Sequence, residues 1–313
     1  MSNKRNKENK ANNRTARPLG EIRELIAEAL AEHTPGGVRP GELDRGGRAL
    51  RWVEAGSGED VPIVLIAGCG DSSLTWAPLL PELTGLGRVV AYDRAGLGAS
   101  EPDRAPTLSL DAPVEDLAAL VRHLDAGPAV LVGHSWGGQL AQLMARQRPE
   151  LVAGLVLVDP AHEEFRPRAI AVVEAALLRF ALLRAALAPA APDRDDALAR
   201  AEAATVAHPH QRRAVLAEHR LTGLAVPVLR RRRADAALPE VPVAVLSATE
   251  GLPRALRTRF TAAQARIAAG AARSVHTEVS GAGHYIHADR PHVVAAAVRE
   301  VSDPARIARN AGH

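Results

Sequence analysis

The sequence predicts an α/β fold built on a doubly wound, mostly parallel sheet. From Arg48 onward, short β-branched runs alternate with stretches in helical spacing, the pattern of right-handed strand–helix–strand crossovers. The runs Val64-Leu-Ile and Leu155-Val-Leu-Val are continuously apolar rather than alternating, as strands covered on both faces of a parallel sheet require. The 313 residues, 47% of them hydrophobic, suffice for one large domain of this kind or two small ones. A single cysteine, Cys69, excludes a disulfide scaffold and a Cys-based zinc site.

In chain order, residues 1–17 carry Lys4, Arg5, Lys7, Lys10, Arg14 and Arg17 against Glu8, and no lysine occurs after Lys10. The net charge of +3 therefore belongs to a basic tail, and the remaining body is mildly acidic, so a nucleic-acid partner is not expected. With almost nothing apolar to bury, 1–17 is expected to be disordered. It lacks the apolar run of a secretory signal, and no later stretch reaches the ~18 uncharged apolar residues of a membrane span; a soluble, cytoplasmic protein is the expectation. Residues 18–47 begin with Leu19, Ile22, Leu25, Ile26, Ala29 and Leu30 on one face of a helix. Seven glycines and prolines between Pro35 and Gly47 then predict loop, with at most a short edge strand.

Residues 48–161 and 239–303 supply the core. Strands are expected at 49–55, 61–67, 88–92, 129–132, 152–158, 241–247 and 273–279, and helices at 73–83, 110–124, 137–147, 254–269 and 292–301. Residues 162–238 break this rhythm with Ala, Leu and Arg in helical spacing, predicting a helical insertion after the sixth strand. Its run Arg230–Arg233 reads as a solvated face, diluted by Asp235 and Glu240. Residues 304–313 form a C-terminal tail.

Chemistry enters at Ala129-Val-Leu-Val-Gly133-His134-Ser135-Trp136-Gly137. A buried strand runs into Gly-x-Ser-x-Gly and a helix of good formers follows at once, the context in which this motif marks a nucleophile. Glycines two before and two after the serine permit a cramped turn that exposes the Ser135 hydroxyl. The helix start behind it adds free N–H groups and a positive dipole end.

Three more segments stand in a telling order: Ile63-Val-Leu-Ile-Ala67-Gly68-Cys69-Gly70 followed by Trp76, then Tyr92-Asp93-Arg94-Ala-Gly96-Leu-Gly98-Ala-Ser100, and finally Gly281-Ala-Gly283-His284 followed by Pro291. With the serine motif, they make residues 48 to 303 resemble the α/β-hydrolase superfamily, of the serine esterase and lipase type. That resemblance implies an α/β-hydrolase fold with residues 162–238 as a helical cap over the site. It also implies a base, an acid and an oxyanion hole. His284 holds the position of the catalytic histidine; His287 and His292 are its neighbouring competitors. The usual acid position after the seventh strand holds no Asp, so Asp159, at the end of the sixth strand, is the first choice and Glu250 the second. Backbone N–H groups of Cys69 and Trp136 would form the oxyanion hole, where the family more often has His-Gly before the first of these donors and this chain has Ala67-Gly68. His134 is expected to pack beneath the elbow, and Asp93 and Arg94 to fix the neighbouring loops.

A serine needs an adjacent base and an orienting group to act as nucleophile. The expected activity is therefore hydrolysis of small apolar carboxylic esters through an acyl-enzyme, with the cap shaping the pocket through Ala and Leu. Phe165 and Phe180 are candidates to line it, with helix packing as their alternative role. A serine at 135 argues against the haloalkane dehalogenase and epoxide hydrolase branches, which need a carboxylate there. No metal or organic cofactor is implied, the partner is a small-molecule ester-type substrate, and the oligomeric state is left open. Lactonase, thioesterase, amidase or perhydrolase chemistry on the same triad stays an alternative, as does a non-catalytic ligand-binding sensor.

Overall fold

The structure, a computed structural model, describes residues 17–58, 61–103, 109–165, 183 and 196–303. The expected tails at 1–17, apart from Arg17, and at 304–313 lie outside the described residues, as does Phe180. The described residues open with helix α1 (Leu19–Glu32) and two strands, β1 (Arg39–Asp44) and β2 (Ala49–Ala55). After β3 (Ile63–Ile66) come a 3-10 turn at Ser73–Trp76, the short α2 (Leu80–Leu83) and β4 (Val89–Asp93). Helix α3 (Asp111–Leu124), β5 (Ala129–His134), α4 (Trp136–Gln147) and β6 (Val152–Val158) continue the alternation. Among the described residues, α5 (Ala197–Ala207), α6 (Pro209–Leu224) and α7 (Val226–Asp235) follow. The chain then returns through β7 (Pro242–Ala248), α8 (Arg254–Ala269), β8 (Arg273–Val279), α9 (Ile286–Asp289) and α10 (Pro291–Val301).

The eight strands form one sheet in the order β1-β2-β4-β3-β5-β6-β7-β8. The pairs β1–β2 and β2–β4 are antiparallel, and β3 to β8 run parallel. The glycine-broken segment after α1 thus does contain an edge strand, paired residue for residue from Arg39↔Glu54 to Asp44↔Ala49. The continuous apolar runs are explained by their two-sided burial. Ile63, Leu65, Val130, Val132, Val156 and Val158 face one core with α1 and α10, and Val64, Ile66, Leu131, Leu155 and Leu157 face another with α3 and α4.

The helices between β6 and β7 use their apolar faces for packing. Ala197 and Ala201 of α5 join Ile22, Ile26, Ala29 and Leu30 of α1 in one buried cluster, and Arg200 reaches Glu28 at 3.4 Å. Leu221, Ala225 and Leu229 sink into the core on the α4 side. The arginine run is only half solvated: Arg230 and Arg231 are exposed, whereas Arg232 pairs with Asp111 at 2.7 Å and Arg233 pairs with the buried Glu163.

Candidate active site

The parallel strands deliver their carboxyl ends to one place, the usual site of ligand binding in an open α/β sheet. From β5, the chain turns through Ser135 at φ 51°, ψ −115°, and enters α4 at the next residue. A non-glycine residue in that left-handed region is strained. The turn is pinned by Ser135 N–H donating to Val158 O at 3.0 Å, while Gly138 N–H and Ala161 N–H both donate to Ser135 O, each at 3.0 Å. A Cβ at Gly137 would collide with the carbonyls of Ile66 and Ala67, and one at Gly133 would lie 2.6–2.7 Å from the backbone of Gly137 and Gly138. Both glycines are therefore demanded by backbone approach.

Asp159 leaves β6 fully buried and also left-handed, at φ 40°. Its Oδ2 lies 2.6 Å from His284 Nδ1. A carboxylate can only accept, so Nδ1 carries a proton. The other oxygen accepts from Ala248 N–H at 3.1 Å, Gln264 Nε2 at 2.9 Å and Arg257 Nη1 at 3.2 Å. Burial works to raise the Asp159 pKa, but the hydrogen bond and charge of His284, with Gln264 and Arg257, outweigh it and hold the group below the usual carboxylate value.

His284 follows β8 on the Gly-flanked loop, with its side chain 41% exposed. Its backbone is anchored to the elbow, because His134 Nε2 lies 3.0 Å from His284 O and donates to it. The His134 ring is buried against the rings of His284, Tyr285 and His287. It does more than pack beneath the turn, since it ties the strand that precedes Ser135 to the His284 loop. Burial, followed by the neighbouring charges of His284 and His287, drives its pKa well below the ordinary imidazole value. His287 is buried on α9, 3.0 Å from Thr75 Oγ1, and burial pushes it down to about 3. His292 is exposed on α10.

Glu250 is not brought to the imidazole by its carboxylate. It is exposed, and its backbone is what is engaged, donating to Ala282 O and accepting from Arg257 Nη2 at 2.7 Å. Asp93 fixes two loops by accepting from Ser73 N–H at 2.6 Å and Ala99 N–H at 2.8 Å. Arg94 holds the carbonyls of Ala67 and Gly68 at 2.8 and 2.6 Å.

Ser135, His284, Cys69 and Trp136 line a common cavity of about 360 Å³. Among the described residues between β6 and β7, Ala161, His162, Glu163, Phe165, His219, Thr222 and Val226 also line it. Much of the Ala- and Leu-rich part of the expected cap, residues 166–182 and 184–195, lies outside the described residues. The Ala and Leu faces of α5 to α7 are consumed by packing against α1 and the core, which leaves mixed polar and aromatic positions facing the cavity. Phe165 serves both its candidate roles: it lines the cavity and stacks on Phe260 with ring centroids 4.6 Å apart. A second, polar cavity of about 280 Å³ adjoins on the far side of Cys69 and Ser135, lined also by Asp71, His134, His219, His284 and Tyr285. Burial pushes Asp71 up to about 6, and Tyr285 hydrogen-bonds to it. Among the described residues, no group of three or more His, Cys, Asp or Glu is placed to hold a metal ion, and no helix is long and apolar enough to cross a membrane.

Sequence reasoning did not single out Arg257 and Gln264, which support Asp159. They sit on α8, about a hundred positions further along the chain, and an arginine on an amphipathic helix looks like any solvent-facing one.

The chain belongs to the Alpha/beta hydrolase family, whose model matches residues 63–297. It is 40% identical over 147 residues to the lipase LipV of Mycobacterium tuberculosis, a match covering 46% of this chain and 49% of that one. Over 141 residues it is 38% identical to the dihydrolipoyllysine-residue acetyltransferase component of an acetoin cleaving system from Pseudomonas putida, covering 44% of this chain and 37% of the relative. The chain thus spans half or less of the length of these curated relatives. Among solved structures, a haloalkane dehalogenase from Agrobacterium tumefaciens superposes with a TM-score of 0.67 at 22% identity, over 87% of this chain and 99% of the other. At that identity the likeness is one of fold.

Proposed function

We propose that the chain is a serine hydrolase of small carboxylic esters, with Ser135 as nucleophile, His284 as general base and acid, and Asp159 as the orienting carboxylate. The observation that carries this reading is the 2.6 Å contact between His284 Nδ1 and Asp159 Oδ2, behind an imidazole that shares one cavity with a strained, half-buried Ser135. His284 Nε2, left unprotonated, takes the Ser135 hydroxyl proton as Oγ attacks the ester carbonyl. The imidazolium that forms is stabilised by Asp159, and it returns the proton to the leaving alkoxide. Backbone N–H groups of Cys69 and Trp136 receive the developing oxyanion, a contribution of roughly 10²–10³ in turnover per donor. Water, activated in turn by His284, then releases the acid from the acyl-enzyme.

Phe165, Phe260, Leu252 and Val226 give the cavity the apolar wall that a small acyl or alkyl group needs, while Gln139, His219 and Thr222 favour esters bearing an additional polar group. The resemblance implies a carboxylate at this position for haloalkane dehalogenase and epoxide hydrolase chemistry, so a serine at 135 argues against both. The sensor alternative rested on the irregular acid position, and the contact between Asp159 and His284 removes that reason. The test is hydrolysis of short p-nitrophenyl esters by the wild type and Ser135→Ala, with fluorophosphonate labelling of both. Turnover and labelling confined to the wild type are expected; background hydrolysis and no label in the wild type would overturn the reading.

A further inference from the structure

Helix α6 grips a single residue of the candidate oxyanion loop, Gly70, and it does so with three side chains of one helical face. Gln211, Val215 and Glu218 stand at i, i+4 and i+7, so they share a face. Glu218 Oε2 accepts from Gly70 N–H at 2.8 Å. Gln211 Nε2 donates to Gly70 O at 3.4 Å, while its Oε1 accepts from Gly98 N–H at 2.8 Å. Val215 lies against the Gly70 α-carbon so closely that a Cβ there would meet Cγ1 at 2.9 Å, and Gly70 itself sits at φ +79°. Both hydrogen-bonding groups of Gly70, and its α-carbon, are thus held by a helix about 140 residues further along the chain.

A carboxylate one residue from an oxyanion donor would repel the charge that develops there. Arg94 offsets this, since Nε and Nη2 meet Glu218 Oε1 and Oε2 at 2.6 and 2.8 Å in a fork geometry. Arg94 is itself buried, and its other contacts are the carbonyls of Ala67 and Gly68 on the same loop. The four residues from Ala67 to Gly70 are therefore fixed from two directions by one ion pair, and Cys69 lies inside that clamp.

From this arrangement we infer that Glu218 is a positioning residue for the oxyanion hole: through Gly70 and Arg94 it holds the Cys69 N–H where the tetrahedral oxygen forms, so that α6 docking is a condition of catalysis. This rests on the ester-hydrolase reading above. Misplacing a donor by about 1 Å is enough to cost on the order of 10²-fold in rate.

The test compares wild type, Glu218→Gln and Glu218→Ala on p-nitrophenyl butyrate. It adds phenylboronic acid as a tetrahedral mimic, butyrate as a product probe and thermal melting as a check on folding. Expected for Glu218→Ala is a fall of about 10- to 100-fold in kcat with KM within about threefold, and a matching loss of boronate affinity at unchanged butyrate affinity. Glu218→Gln, whose amide oxygen still accepts from Gly70 N–H, should recover part of the loss. Wild-type kcat and boronate affinity in Glu218→Ala would overturn the clamp alone, whatever the melting temperature. If Glu218→Ala does not fold, the same assays on Glu218→Gln and Gln211→Ala decide, and wild-type values in both overturn it. A wild type that neither turns over nor labels with fluorophosphonate overturns the ester reading and the clamp with it.

Discussion

Arg257 and His284 bind the same carboxylate: Arg257 Nη1 lies 3.2 and 3.4 Å from the two oxygens of Asp159, and His284 Nδ1 lies 2.6 Å from Oδ2. The guanidinium balances a charge that is wholly removed from water. Arg257→Met should strand that charge and destabilise the fold by about 3–5 kcal/mol, as breaking buried pairs does. Urea unfolding measures this, and a loss under about 1 kcal/mol would contradict it.

Asp159→Asn should lower kcat by about 10²–10⁴, since the amide keeps the shape but no longer fixes the imidazole tautomer. It should lower the melting temperature as well, since the buried Arg257 loses its counter-charge. Glu250→Gln should stay within twofold, its exposed carboxylate being free of the imidazole. Assayed side by side, a reversed order of effects would transfer the acid role to Glu250.

His134→Phe would keep an aromatic ring among His284, Tyr285 and His287 but lose the bond to His284 O. The expected result is a drop in kcat of about tenfold with a small change in KM, from looser placement of the histidine loop. Unchanged steady-state kinetics would make the ring a packing element only.

Gly137→Ala should be poorly tolerated, because its Cβ meets two backbone carbonyls that no rotamer change can move. A destabilisation of about 3 kcal/mol or more is expected. Gly20→Ala, on α1 with open space around it, should be neutral or stabilising by up to about 1 kcal/mol. Thermal melts of the two variants give the comparison.

Acid stability follows from the buried imidazoles. With His287 held down to about 3 by burial and His134 far below its usual value for the same reason, the unfolded chain takes up protons below about pH 6.5 that the folded chain refuses. Their contribution is present above that pH and is lost as pH falls toward 3. Asp71 and Asp93, both raised to about 6 by burial, act with the opposite sign, returning some stability as pH falls from about 6 to 4. His287→Gln should therefore flatten the decline of the melting temperature between pH 6.5 and 4.5; an unaltered slope would show that His287 does not contribute.

Local pattern was enough to locate β2, β6, β8 and α8 to the residue, because two-sided burial and helical spacing are written in consecutive side chains. The elbow was legible from its motif, although only Gly133 answers to near neighbours, Gly137 and Gly138, while Gly137 answers to the distant carbonyls of Ile66 and Ala67. What the sequence concealed was every relation at long range. Asp159 and Glu250 could not be separated until β6 and β7 were laid side by side, from Leu155↔Val243 to Val158↔Leu246. Ala and Leu in helical spacing likewise do not say whether they face a ligand or another helix, and Ala197 and Ala201 of α5 pack on α1. The roles of Arg257 and Glu218 depend on partners 98 and 124 residues away.

The packing of α1 on α5 joins residues such as Glu28 and Arg200, 172 positions apart. Such a contact closes a loop containing most of the sheet, and the entropy of closure falls due only when the intervening chain has ordered. During synthesis, the first helix must therefore wait with part of its apolar stripe bare until α5 has emerged. Once made, this contact tethers α1 to the segment whose later helices carry His219, Thr222 and Val226 to the cavity wall, so a lesion in α1 should reach the site through α5.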